Sequence, residues 1–200
     1  RDLSFLQLFS FSSLVILGII LSGSKLNLIT NYFNIYLKKS EWFALSSMTM
    51  ILNSIFFKSG SLATSTYLKK KYNFPYASFV GSFIGDQFIT LFIASLIGSI
   101  SSILLIYSEK VQLFFIFIIF STITAFLFIL LSGKITLPVK ESVIWQQLSI
   151  GTESFNKLLQ NKKLFRTLCL HNLLLIITVG LRLFTACSIL NQEISITHCF

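Results

Sequence analysis

Two hundred residues carry sixteen Lys and Arg against seven Asp and Glu, a formal charge of +9, and twenty-two Phe; 54% are hydrophobic, only 12% are charged, and mean hydropathy is +0.81. That ratio excludes a soluble core with a polar coat and makes the chain an integral membrane protein. The cations lie between apolar runs instead of along one groove-reading element, which argues against nucleic acid and assigns them to topology and anionic lipid head groups.

Cys169, Cys187, Cys199, His171 and His198 show no C-x-x-C or other ligand spacing. No metal, disulfide, cofactor or catalytic cluster is therefore expected. The chain starts at Arg1 instead of Met and stops at Phe200, just after a segment restarts, so a single incomplete transmembrane domain is expected.

The first apolar run, about residues 3–22, is long enough to cross a ~30 Å hydrocarbon layer. A signal peptide fits less well, because Arg1 is balanced by Asp2. Lys25 to Ser40, with Lys25, Lys38 and Lys39, reads as a loop or a surface-lying helix. Ser40 then reads as the N-cap of a helix from Glu41 to Phe57. That helix holds only seven Leu, Ile, Val or Phe residues, contributing about −2 to −4 kcal/mol to insertion. Ser46, Thr49 and Asn53 form a polar stripe along it. Both of its ends are basic, so residues 41–57 are expected to be a re-entrant or short buried element, with protein or a wet cavity covering the stripe.

Gly60 is expected to break that helix into a hydroxyl-rich turn. A solvated loop is one reading; the other is an anion contact made by backbone N–H groups beside Lys58. Lys69, Lys70 and Lys71 follow, and Pro75 restarts a helix. Ala77, Gly81 and Gly85 recur every four residues as a face for close helix packing.

The span at 79–107 contains one acid, Asp86. Its sixteen Leu, Ile, Val and Phe residues contribute roughly −5 to −10 kcal/mol, whereas one Asp costs about 3 kcal/mol, so the segment inserts. An acid kept in lipid at that cost marks function. Residues 111–132 form an uncharged span. Residues 139–163 form a cytoplasmic amphipathic segment in which Ile144, Leu148, Phe155 and Leu159 share a face beside Trp145, as in an interfacial helix. The last span, 167–190, carries Arg182, for which Asp86 is the expected partner.

Lys and Arg number seven in residues 25–78 and six in 133–166, against Arg1 and Lys110 on the opposite side. That bias predicts a multi-pass protein of the cytoplasmic membrane, with the two basic stretches inside. The fold class is thus all-α: a polytopic helical bundle with a re-entrant or short buried helix.

The run Phe57-Lys58-Ser59-Gly60, then Thr66-Tyr67-Leu68-Lys69-Lys70-Lys71-Tyr72, then the span with Asp86, resembles the flippase-like transmembrane domain of lysylphosphatidylglycerol synthases and their stand-alone homologues. The similarity covers most of the chain from about Ile35. It departs where many members have Gly followed by Glu and this chain has Gly60-Ser61. The resemblance implies translocation or handling of a polar-headed lipid, aminoacylated or glycosylated, beside a glycosyltransferase or another envelope-building enzyme. On this reading Lys58, Gly60, Lys69, Lys70 and Lys71 contact the anionic head group, and Asn53, Asp86 and Arg182 line a polar path. The alternatives are a membrane subunit or enzyme of lipid-linked sugar or envelope polysaccharide synthesis, which would need paired carboxylates, and a structural anchor with a buried Asp86–Arg182 pair.

Overall fold

A computed structural model describes residues 5–108, 114–133 and 142–190. The starts expected at Leu3 and Val111, the connection at Glu109 and Lys110, the cations Lys134 and Lys140, and everything after Leu190 lie outside these. The described residues are all-helical: α1 (Phe5–Tyr32), α2 (Lys39–Ile55), α3 (Ser59–Tyr72), α4 (Tyr76–Ser108), α5 (Phe114–Ser132), α6 (Val143–Gln160) and α7 (Lys162–Ile189). Helices α1, α4, α5 and α7 are long and apolar enough to cross a membrane. The protein is a membrane protein on that ground.

Helix α1 does not stop at residue 22. It runs through Ser22-Gly23-Ser24 and Lys25 to Tyr32, so the loop or surface helix expected from Lys25 onward begins only after Tyr32. Gly23 serves packing: a Cβ there would lie 2.2 Å from the Trp42 ring. Helix α7 likewise starts earlier than residue 167 and takes in Lys162, Lys163 and Arg166.

The chain divides into two compact units. The first comprises Arg1–Gly18, Ile89–Ser132 and Cys169–Phe200; the second comprises Ile19–Phe88 and Gly133–Leu168. In the first unit α4 meets α5 through Thr124 Oγ1, which donates to Ser95 Oγ at 2.9 Å. It meets α7 through Thr90 Oγ1, which donates to Oδ1 of the fully buried Asn172 at 3.1 Å. Hydroxyl and amide bridges of this kind hold helices together where apolar burial has little driving force.

In the second unit α2 and α3 form an antiparallel hairpin. Asn53 pairs with Gly60, Thr49 with Thr64, and Glu41 with Tyr67 and Lys71, so one number falls as the other rises. The run from Ser59 to Thr66 is therefore helix, where the sequence suggested a turn. Its hydroxyls bond to nearby carbonyls, Ser65 and Thr66 both to Leu62 and Ser59 to Leu52 and Phe56, and so leave the helical backbone intact. The break comes at Phe56 to Lys58 instead of Gly60, with Lys58 left-handed at φ 62°. Gly60 lies in the first turn of α3, where a Cβ would sit 2.3 Å from the Thr49 carbonyl oxygen.

The face formed by Ala77, Gly81 and Gly85 does receive a helix, and that helix is α6. A Cβ on Gly81 would lie 2.0 Å from the Gly151 carbonyl oxygen, and Gly85 faces Phe155 and Leu158. The amphipathic segment thus spends its apolar face on α4: Phe155 and Leu158 are buried, while Ile144 and Leu148 remain exposed.

Candidate functional site

The sequence-predicted residues fall in four places. Asn53, Lys58 and Gly60 gather at the hairpin tip, where Asn53 Oδ1 accepts from the Gly60 N–H at 2.9 Å. That bond uses the donor an anion at this turn would need. Lys58 Nζ lies 5.0 Å from the Phe83 ring centre on α4, within cation–π range. Lys69, Lys70 and Lys71 occupy the last turn of α3, eleven or more helical residues on and so about 17 Å from the tip. Asp86 is on α4 and Arg182 on α7.

The hairpin's feet are clasped by Glu41. Its carboxylate accepts from Lys71 Nζ, from the Lys38 backbone N–H at 2.9 Å, and from the hydroxyls of Tyr72 at 2.8 Å and Tyr67 at 3.2 Å. Lys38 is thus the helix cap, with Glu41 completing it, in place of Ser40. Phe33, just past α1, and Phe74, just before α4, bring their rings to 5.3 Å. Both feet therefore leave from one small core of Ile35, Leu37, Leu45, Leu68 and Phe74.

Donation by Lys71, then by Lys38 N–H and Tyr72, holds the Glu41 carboxyl at about 2, below its ordinary 4.5. The same contact raises Lys71. A depressed carboxyl contributes stability that is present above about pH 4.5 and is lost as pH falls toward 2. Melting followed by intrinsic fluorescence should accordingly drop over that window. Glu41→Gln should melt lower at pH 7 and lose much of the acid-side slope.

The charged centre of the second unit is an ion pair that the sequence reading missed. Lys25 Nζ lies 2.8 Å from Asp86 Oδ2, and the two side chains are 15% and 4% exposed. The cation meeting Asp86 is Lys25, where Arg182 was expected. Buried Thr30, Ser78 and Ser82 occupy the same stretches of α1 and α4. The signal in the sequence points the other way: Ser22-Gly23-Ser24 before Lys25 reads as a helix end, yet α1 runs on to Tyr32.

Comparison with protein-family models, curated proteins and solved structures finds no match to this chain. Chemically, the described residues offer a carboxylate and an ammonium that neutralise one another within long apolar helices. They hold no cluster of His, Cys, Asp or Glu that would bind a metal. A groove of about 720 Å³ runs along α2 and α3, apolar at Ala44, Met48 and Leu62 and polar at Glu41 and Lys70.

Proposed function

We propose that this protein lies in the cytoplasmic membrane and translocates or handles a lipid with a charged or sugar-bearing head group, as the flippase-like family it resembles does. The observation that carries the reading is the α2–α3 hairpin. Its feet bear Glu41 and Lys69 to Lys71, while Ile55, Phe56 and Phe57 at its tip are 63%, 69% and 90% exposed. A hairpin with wet, charged feet and a bare aromatic tip suits a segment that enters the bilayer and turns back. Its polar stripe is covered by α3 at Thr49 and Asn53 and by α1 at Ser46.

In this function the exposed Lys69 and Lys70 gather an anionic head group. The groove takes apolar chain, and the Lys25–Asp86 pair supplies charge within the apolar helices of its unit. An envelope-building enzyme acting on the same lipid is the partner this implies. The enzyme reading draws no support from the described carboxylates, since Glu41 is saturated by donors and Glu153 pairs with Lys157 at 2.7 Å.

Two measurements test the proposal. Single cysteines at Ser40 and Lys70 should label from the same side of sealed vesicles, and one at Phe57 from neither; labelling of 40 and 70 from opposite sides removes the re-entrant hairpin. In reconstituted vesicles, Lys69→Gln with Lys70→Gln should slow translocation of a fluorescent anionic phospholipid by ~30-fold, since each lysine near an anionic surface contributes about 1 kcal/mol and the pair about 2 kcal/mol. An unchanged rate removes the head-group role.

A further inference from the structure

Among the described residues of the first unit, Arg182 is the sole charged side chain, and no carboxylate accompanies it. Its Nε–H is buried without an acceptor. The guanidinium lies beside Gly18 of α1, where a Cβ would sit 3.7 Å from Nη1 and 3.9 Å from Thr178 Cγ2. The Thr178 hydroxyl, one turn back on the same face, donates to the Leu174 carbonyl at 2.7 Å. A guanidinium does not shed its charge, and among the described residues of this unit nothing supplies its counter-charge.

We propose that Arg182 binds a phosphate oxyanion carried by a membrane lipid, with Gly18 leaving the room. The fork of N–H donors matches two phosphate oxygens at once, which a lysine cannot do. The proposal deepens the lipid reading by naming the charge of the ligand, yet it stands on the orphaned donor and survives if transport is not the activity.

Purified full-length chain in a neutral detergent is titrated with short-chain phosphatidylglycerol, with diacylglycerol of equal chain length, and with inorganic phosphate. Bound ligand is read by native mass spectrometry. Phosphatidylglycerol should bind and diacylglycerol should not. Arg182→Gln should weaken binding roughly 10- to 100-fold, Gly18→Leu should weaken it by crowding the guanidinium, and Arg182→Lys should keep part. Inorganic phosphate binding with the same Arg182 dependence keeps the oxyanion site and assigns it to a soluble ligand. Equal binding by Arg182→Gln, or by diacylglycerol, overturns the site. The ligand-free melting temperature guards against a folding artefact: removing an unpartnered charge should leave it level or raise it, whereas a structural arginine would lower it. Arg182-dependent binding without translocation leaves this site standing and removes the transport reading.

Discussion

Asp86→Leu alone should destabilise the protein by about 3–5 kcal/mol, because it takes away the carboxylate that the buried Lys25 ammonium meets at 2.8 Å. Lys25→Met alone strands the carboxylate and should cost a similar amount. The informative variant is the double one. Replacing a buried pair by apolar residues of similar volume is often neutral or stabilising, so Lys25→Met with Asp86→Leu should recover most of the loss. Unfolding in mixed micelles by SDS, followed by the fluorescence of Trp42 and Trp145, measures all four corners of the cycle. If the double variant is as stable as the parent yet fails to move lipid, the pair serves function and not the fold. Should the single variants prove as stable as the parent, the pair is not buried as described.

Gly81→Ala is expected to be the most damaging single methyl that can be added to the second unit. The new Cβ would lie 2.0 Å from the Gly151 carbonyl oxygen and 2.7 Å from its carbon. These atoms are backbone and have no rotamer to change, so α4 and α6 must move apart. Overpacking of this kind costs about 3 kcal/mol or more, the upper end of the usual range. Gly85→Ala is the matched control one turn on. Its Cβ meets the Phe155 ring at 3.3 Å and Leu158 at 3.6 Å, flexible groups that can yield a few tenths of an ångström, so the cost should stay below about 1 kcal/mol. Equal effects at the two positions would show that α6 does not cross α4 at Gly81.

What the sequence disclosed and what it hid divide along one line, the distance between partners in the chain. Apolar length alone located the four long helices, and the four-residue spacing of Ala77, Gly81 and Gly85 marked a packing face within a single helix. The identity of the helix on that face was not legible, because α6 carries an amphipathic pattern that suits a membrane surface equally well. Lys25 reads as the start of a loop or a surface-lying helix because it opens a stretch in which Lys38, Lys39, Asn27, Asn31 and Asn34 lie among apolar residues. The carboxylate that makes it tolerable is sixty-one positions away. The hydroxyls of Ser59 to Thr66 misled for a similar reason: such residues favour turns unless a neighbouring helix and local carbonyls absorb them, and α2 does that here. Of the candidate site, Asp86 and Arg182 could be singled out from hydropathy, but not which charge meets which. Glu41 looked like an ordinary first-turn acid, and its four donors come largely from residues thirty positions further on.

The separation between Lys25 and Asp86 also bears on how the polypeptide is made. A ribosome adding roughly 5–20 residues per second needs several seconds to reach the acid after the lysine has emerged. During that interval the first hydrophobic segment carries an unneutralised ammonium, at a cost of about 3 kcal/mol that its apolar residues can bear. It can sit with its lysine reaching for water until the later segment arrives and draws it in.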